Sequence, residues 1–410
     1  MTSNSLRIAP LLIPALVGMA LTTMAYADAE DVLNVVVGAS LTHDDNLFRL
    51  SDNPGPSASI PSTQSDWITS TSLGLRIDKP WSLQRFQLSA TASNYRYRNF
   101  SFLNFSGVDY RAAWLWQVTP RLTGRLTADR EQSLNNYADY RGSYTARNTR
   151  VNENRRFDAD WWLQGSWHLL GGGAEYQQRN GQLYNADGDY RLRSVEAGGK
   201  YVAESGSNIS LLGRSGRGDY LNRSEISPYD NRFDQNEAEI RAIWLASGKS
   251  TLDGRLTHVE RKYEHLNNLD YSGTTGRLDY SWAPTAKLHV DLVAAREISS
   301  YQEYIVTSYN SSYYVADSLS VAPVWLVSDK TSLRLKYEQG QRDFRGELSP
   351  GAVVPAQRSD KPRTLLLGLD WTPTRTLSLN GTLKWDRRSS NITGLDYSEA
   401  SAAFSAQLAF

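Results

Sequence analysis

Apolar and polar residues alternate with a period of two along most of the chain. In Thr376-Leu377-Ser378-Leu379-Asn380-Gly381-Thr382-Leu383-Lys384-Trp385 the apolar set falls on odd positions and the polar set on even ones. Ser332-Leu333-Arg334-Leu335-Lys336-Tyr337-Glu338, Arg277-Leu278-Asp279-Tyr280-Ser281-Trp282 and Glu237-Ala238-Glu239-Ile240-Arg241-Ala242 behave in the same way. A strand turns successive side chains to opposite faces, so each segment predicts a strand with one greasy and one charged face. No comparable run of helical spacing stands out, and the chain reads as all-β.

Short connections alternate with long ones. Tight turns are predicted near Lys79-Pro80, Thr119-Pro120, Gly171-Gly172, Ser205-Gly206, Gly248-Lys249, Pro284-Thr285, Asp329-Lys330 and Pro373-Thr374. Longer polar stretches lie between them, near 51–65, 99–106, 137–154, 181–189, 221–231, 265–270, 300–312, 345–360 and 389–396. Eight turns and nine loops give 18 strands, with 16 as the alternative count. An even number of antiparallel strands with short turns at one end and long loops at the other predicts a transmembrane up-and-down β-barrel.

Tryptophan marks the turns. Trp116, Trp282 and Trp371 each precede a proline turn and a leucine that opens the return strand, and Trp244 and Trp325 hold the same place before Gly248 and Asp329. Rings at these positions predict a girdle at the headgroup level of a bilayer. Phe404, Ala406, Leu408 and Phe410 share one face of the last strand. A strand ending on an aromatic in this way resembles the closing signal that outer-membrane barrels present to their assembly machinery.

Composition sharpens this picture. The chain is polar overall, with a mean hydropathy of −0.50, yet carries 12 Trp and 23 Tyr. A membrane barrel reconciles the two, because its lipid face uses every second residue only. No segment beyond the first few tens of residues offers the ~18 consecutive apolar residues of a transmembrane helix. Residues 1–27 read as a signal peptide, with Arg7, an apolar run from Ile8 to Leu21 and a small-x-small site at Ala25-Tyr26-Ala27. The mature chain is then expected to be a single domain, 28–410, whose first strand begins almost at once and leaves no room for an N-terminal plug. With 44 basic and 44 acidic residues the formal charge is zero, which gives no electrostatic reason to expect nucleic acid. There are no cysteines, and so no disulfides or thiolate metal sites.

Charge on a lipid face is costly, so the charged phase of each strand is expected to face the lumen. This turns Arg76, Arg111, Arg125, Glu239, Arg241, Asp253, Arg255, Arg277, Asp279, Arg334 and Lys336 inward, together with Glu196, Lys200, Glu237, Asp291, Glu338, Asp370 and Lys384. The arginine fork suits carboxylates, either in the wall or on a passing solute. Both signs are interspersed, so the wall reads either as mutually satisfied networks or as a hydrated track. Trp162, Tyr95, Tyr97, Tyr137 and Tyr140 are candidates for stacking on sugar rings from the inward phase or the loop mouths. An infolded loop is the expected obstruction of such a lumen, with 137–154, 300–312 and 345–360 as candidates.

Catalytic patterns are absent from the sequence. The five histidines show no metal-ligand spacing, and neither a nucleophile elbow nor a phosphate-binding loop occurs. His43-Asp44-Asp45 lies where a polar loop is expected, and Asn185-Ala186-Asp187-Gly188-Asp189 lacks the later glutamate of a calcium loop. Neither a cofactor nor a metal is expected, and the chain reads as a non-enzyme.

The segment His43-Asp44-Asp45-Asn46-Leu47-Phe48-Arg49 resembles the D-D-N-hydrophobic-Phe-Arg signature of the EpsL-type outer-membrane barrels associated with exopolysaccharide biosynthesis and exosortase gene clusters. The overall plan of the chain fits that resemblance, and Asp44, Asp45, Asn46, Phe48 and Arg49 carry its motif. The resemblance implies a role in moving polysaccharide across the outer membrane, with periplasmic secretion or biosynthesis proteins as partners. It brings no catalytic residue. A structural part of a secretion assembly with a closed lumen, and a general diffusion porin, are the alternatives. Lipid and lipopolysaccharide are expected around the barrel, with loops extracellular and both termini periplasmic.

Overall fold

The computed structural model describes residues 32–52, 63–135, 137–138, 147–181, 188–223, 232–265, 267–300, 313–346 and 357–410. The expected signal peptide, Tyr140 and most of the three candidate plug loops lie outside them.

Eighteen strands form one closed antiparallel sheet. In chain order they are β1 (Leu33–Asp44), β2 (Asp66–Trp81), β3 (Gln84–Tyr97), β4 (Phe105–Thr119), β5 (Leu122–Leu134), β6 (Thr149–Gln164), β7 (Trp167–Asn180), β8 (Tyr190–Val202) and β9 (Asn208–Tyr220). The second half comprises β10 (Arg232–Ser247), β11 (Ser250–Tyr263), β12 (Tyr271–Thr285), β13 (Leu288–Ser300), β14 (Tyr313–Ser328), β15 (Thr331–Arg345), β16 (Ser359–Trp371), β17 (Leu377–Ser390) and β18 (Tyr397–Ala409). Each strand pairs with its neighbours in sequence, and β1 pairs with β18 to close the ring. Closure satisfies backbone groups that an open edge would leave bare. The count of 18 is thereby settled over 16.

Register partners share a face of the sheet. One face carries Leu41, Leu73, Leu126, Leu256, Leu319, Leu367, Leu383 and Phe404, all well exposed. The other carries closely packed ions and the buried polar residues. In a closed barrel the apolar, exposed face is the outer one, and the alternation read from the sequence is the physical reason. Among the described residues no helix is long and apolar enough to cross a membrane. Trp116, Trp244, Trp282, Trp325 and Trp371 all lie in the outward phase near the short-turn end, as the recurring aromatic-turn pattern predicts.

One turn lies elsewhere than expected. Gly171-Gly172 is not a connection but the interior of β7, and the hairpin turns instead at Gly165-Ser166, where Gly165 has φ +56. Glycine here marks a place where side chains must be absent rather than a place where the chain reverses.

Candidate functional site

The inner wall is built by charged side chains whose strands are in register. Arg125 of β5 donates to Asp158 of β6 (Nη2–Oδ2 2.8 Å), and Arg156 bonds the other oxygen of Asp158 at 2.5 Å. Arg156 also reaches Glu196 of β8, which accepts from Arg214 of β9 at 2.8 Å, and Arg214 in turn bonds Glu237 of β10. An unbroken chain of alternating charges thus runs from β5 to β10. It passes β7 at Gly172, which lies in register with both Asp158 and Glu196. A Cβ there would stand 2.5 Å from the Phe157 carbonyl oxygen and 3.2 Å from Glu196 Oε1. The missing side chain is what lets Arg156 cross the strand.

Further round the wall the pairs are shorter in reach. Arg241 bonds Asp253 (Nε–Oδ1 2.9 Å), Arg277 bonds Asp279 (Nε–Oδ2 2.7 Å), Arg334 bonds Asp370 (Nη2–Oδ1 2.9 Å) and Lys336 bonds Glu338 at 2.6 Å. Arg111 bonds Asp129 at 2.8 Å with its side chain largely exposed. Glu239 accepts a hydrogen bond from Thr257 at 3.3 Å. Carboxylates and guanidinium groups in such pairs fix each other's direction.

Two inward arginines stand apart. Arg76 and Arg255 have no ion-pair or hydrogen-bond partner among the described residues. Arg255 lies in register between Arg241 and Arg277. These three arginines form a row, and the acids Asp253 and Asp279 lie together on the short-turn side of it. Arg255 opens into a wall cavity of about 320 Å³ shared with Arg214, Glu237, Glu239, Thr257 and Arg277. Which of the inward charges are free emerges only from the three-dimensional pairing.

Trp162 is in the inward phase, close to the short-turn end. Its indole Nε1 donates to the Gly165 carbonyl at 2.7 Å, and Arg121 lies over the ring at 5.4 Å. It is a turn-bracing residue whose ring remains partly open to the lumen.

At the long-loop end the motif 43–49 forms a compact turn that enters the barrel. Asp44 Oδ1 accepts from the Asn46 backbone N–H at 2.9 Å. The Asn46 side chain accepts from the Leu50 N–H at 2.9 Å and donates to the carbonyls of Leu50 and Ser398, both at 2.8 Å. Asp45 exchanges two bonds with Ala400, one through its backbone N–H (3.2 Å) and one through its carboxylate (2.8 Å). Arg49, in the left-handed region at φ 54, bonds Asp44 at 2.9 Å and lies 3.6 Å from Glu399. Burial disfavours its charge, yet the adjacent carboxylates of Asp44 and Glu399 hold the guanidinium above the ordinary arginine value. His43, Asp44 and Asp45 do not converge: His43 faces outward against Trp67, with ring centroids 4.8 Å apart, while Asp44 and Asp45 are engaged in the turn.

This turn drives Phe48 into the inner face of the wall. Fully buried, Phe48 packs edge-on against Phe100 (4.7 Å) and Tyr137 (4.9 Å) within a cluster that includes Tyr95, Tyr97, Leu103 and Phe105. Tyr95 and Tyr97, expected as open sugar-stacking faces, are instead covered by the first loop. Among the described residues, segment 45–51 folds inward, joined by Tyr137 at the start of the 137–154 loop. Its signal was present as Leu47, Phe48 and Leu50 standing in an otherwise polar stretch.

Two more inward clusters of the same kind follow around the rim. Arg261 stacks over Phe233 at 4.0 Å, with Tyr190, Tyr220, Tyr263 and Tyr271 around them. Gly218 faces Phe233 directly, and a Cβ on it would fall 2.1 Å from the ring. Arg358 stacks over Phe344 at 4.0 Å and bonds the fully buried Asp360 at 2.6 Å. Sequence periodicity gave the phase of these residues, but not their convergence from different strands.

An apolar outer belt with tryptophans near the turns, a charged inner wall and aromatic clusters at the rim define a closed 18-stranded antiparallel β-barrel with the facing of a membrane barrel. No family model and no curated protein sequence matches the chain. Among solved structures it is similar to the BenF-like porin from Pseudomonas fluorescens Pf-5, at TM-score 0.51 and 11% identity over 93% of this chain and 99% of that one. It is also similar to Pseudomonas aeruginosa OccK2 (OpdF) in complex with glucuronate, at TM-score 0.50 and 12% identity over 92% and 98%. At these identities the likeness is one of fold.

Proposed function

We propose that the chain is an outer-membrane channel that passes small hydrated solutes along its charged inner wall, with anions favoured at Arg255. Arg255 carries this reading. It is an inward arginine with no acid partner among the described residues, set beside a cavity, in a wall where most other basic groups are paired. A cation so placed gives a passing carboxylate a site without first breaking a wall pair. The loops are extracellular and the turns periplasmic in this reading. Polysaccharide passage rests on the resemblance of residues 43–49 and enters as an outcome of the test.

The test is single-channel recording from full-length protein expressed and extracted from outer membranes. Steady conductance is expected, with glucuronate reducing the current and Arg255→Ala weakening that block while moving the reversal potential in a KCl gradient toward cations. A folded, heat-modifiable barrel that stays silent would overturn the channel. Block by the producer's polysaccharide and indifference to glucuronate would move the assignment to a polymer conduit.

A further inference from the structure

On the outer face of the barrel, Arg363 of β16 and Arg387 of β17 are direct register partners, and Lys361 follows two residues along β16 on the same face. Opposed residues of an antiparallel pair have Cα atoms roughly 4.5–5.5 Å apart, and like charges so placed repel. Elsewhere on this face such repulsion is relieved. Arg193 faces Arg217, but Arg193 bonds Glu175 at 2.8 Å and Arg217 bonds Asp234 at 3.0 Å. Arg155, Lys262 and Arg296 likewise hold Glu175, Glu260 and Asp317.

Around Lys361, Arg363 and Arg387 the wall supplies no such acid. Their register neighbours are Gln339, Ser389 and Ser398. The nearest outward carboxylate, Asp343, pairs in register with Ser359 and accepts from Gln341 and Ser359. All three cations are exposed, and none has an ion-pair or hydrogen-bond partner among the described residues.

Their height on the wall matters. The next outward pair toward the turns is Leu365 with Trp385, followed by Leu367 with Leu383. The cations therefore stand one side-chain pair, about 7 Å, beyond the apolar belt at its long-loop edge. Lys361 and Arg363 also border an outer groove of about 1090 Å³ that continues across the neighbouring strands past Leu319, Leu278 and Leu256, with the paired Arg296 and Asp317 on its lining and Gly276 leaving room within it. Positive charge at the head and an apolar channel below match an amphiphile with an anionic headgroup.

We infer that Lys361, Arg363 and Arg387 bind the phosphorylated headgroup of a multiply acylated outer-leaflet lipid, whose chains lie in this groove. The inference rests on the reading of the barrel as membrane-spanning. A phosphate between opposed arginines turns a repulsive pair into two charge-assisted contacts, and an acyl chain fills the groove that the glycine leaves.

Native mass spectrometry of full-length protein, extracted from outer membranes in mild detergent and supplied with bisphosphorylated lipid A, tests this directly. The triple variant Lys361→Gln, Arg363→Gln, Arg387→Gln is expected to retain roughly a hundredfold less of the lipid, about fivefold per cation. The double variant Arg193→Gln, Arg217→Gln, at the neutralised site, should retain it as wild type does. Dephosphorylated lipid A should bind the wild-type protein no better than it binds the triple variant. Equal retention by wild-type and triple-variant barrels, or displacement of the lipid by inorganic phosphate at stoichiometric concentration, would overturn the assignment. Flotation with liposomes separates the two readings: protein that does not insert refutes membrane spanning and the lipid site together, whereas inserted protein with unchanged retention refutes the lipid site alone.

Discussion

Arg156 on β6 reaches Glu196 on β8 across a full intervening strand, and it does so over Gly172. The wall's longest charge chain depends on an atom that is not there. Gly172→Leu is expected to push Arg156 off Glu196 and crowd the Phe157 carbonyl, costing about 1–3 kcal/mol as an overpacked site does. Urea titration followed by tryptophan fluorescence measures this, and a wild-type midpoint would show that the chain of ions contributes nothing to stability.

Phe48→Ala removes the ring that fastens the first loop to the inner wall. A buried phenylalanine truncated in this way costs roughly 3–5 kcal/mol. The loss should come with freer movement of residues 45–51, seen as faster hydrogen exchange at the Leu47 and Leu50 amides than in wild type.

Arg49→Ala strips Asp44 of its cation, and the carboxylate is left buried. Breaking a buried pair from one side costs about 3–5 kcal/mol. Arg49→Lys keeps the charge without the fork and should recover part of the loss. Equal stability of the alanine and lysine variants would refute the ion pair as the source of the effect.

Adjacent positions on β17 distinguish the two faces of the sheet. Leu383 is outward at mid-belt and Thr382 is inward. Leu383→Arg should destabilise the bilayer-inserted barrel by about 2–4 kcal/mol, as an arginine at the midplane does. Thr382→Arg should fold normally and change only conductance. Folding titrations into vesicles compare them, and a reversed order would invert the facing assigned to every strand.

Much of this architecture was legible in one dimension because strand facing has a period of two. The alternation in Ser332–Glu338 and Thr376–Trp385 separates the side chains of the two sheet faces without knowledge of their partners, and the inward set from Arg76 to Lys336 was read from it. What was not legible depends on convergence. Phe48 meets Phe100 and Tyr137 across three connections, and Arg261 meets Phe233 and Tyr271 across neighbouring strands, so no spacing along the chain announces either. Gly171-Gly172 misled for a related reason, since a glycine that clears space for an arginine and one that reverses the chain look alike in sequence. Arg255 is similar: its phase was readable, whereas its freedom depends on the acids Asp253 and Asp279 being taken by the arginines on either side.

The turn at residues 44–51 also has a temporal meaning. Every strand pairing except β1 with β18 joins neighbours in the chain, so a hairpin can grow onto the next without bringing distant segments together. The last pairing is different. Asn46 meets Ser398 across 352 residues and Asp45 meets Ala400 across 355, and closing a loop of that length costs on the order of 5 kcal/mol in chain entropy beyond a constant term. Pairing of this kind sets the pace of folding. Asp45, Asn46 and Arg49 add side-chain bonds to β18 at the place where that late, non-local step must be held, making the first loop a latch on ring closure, engaged only once both ends of the sheet have met.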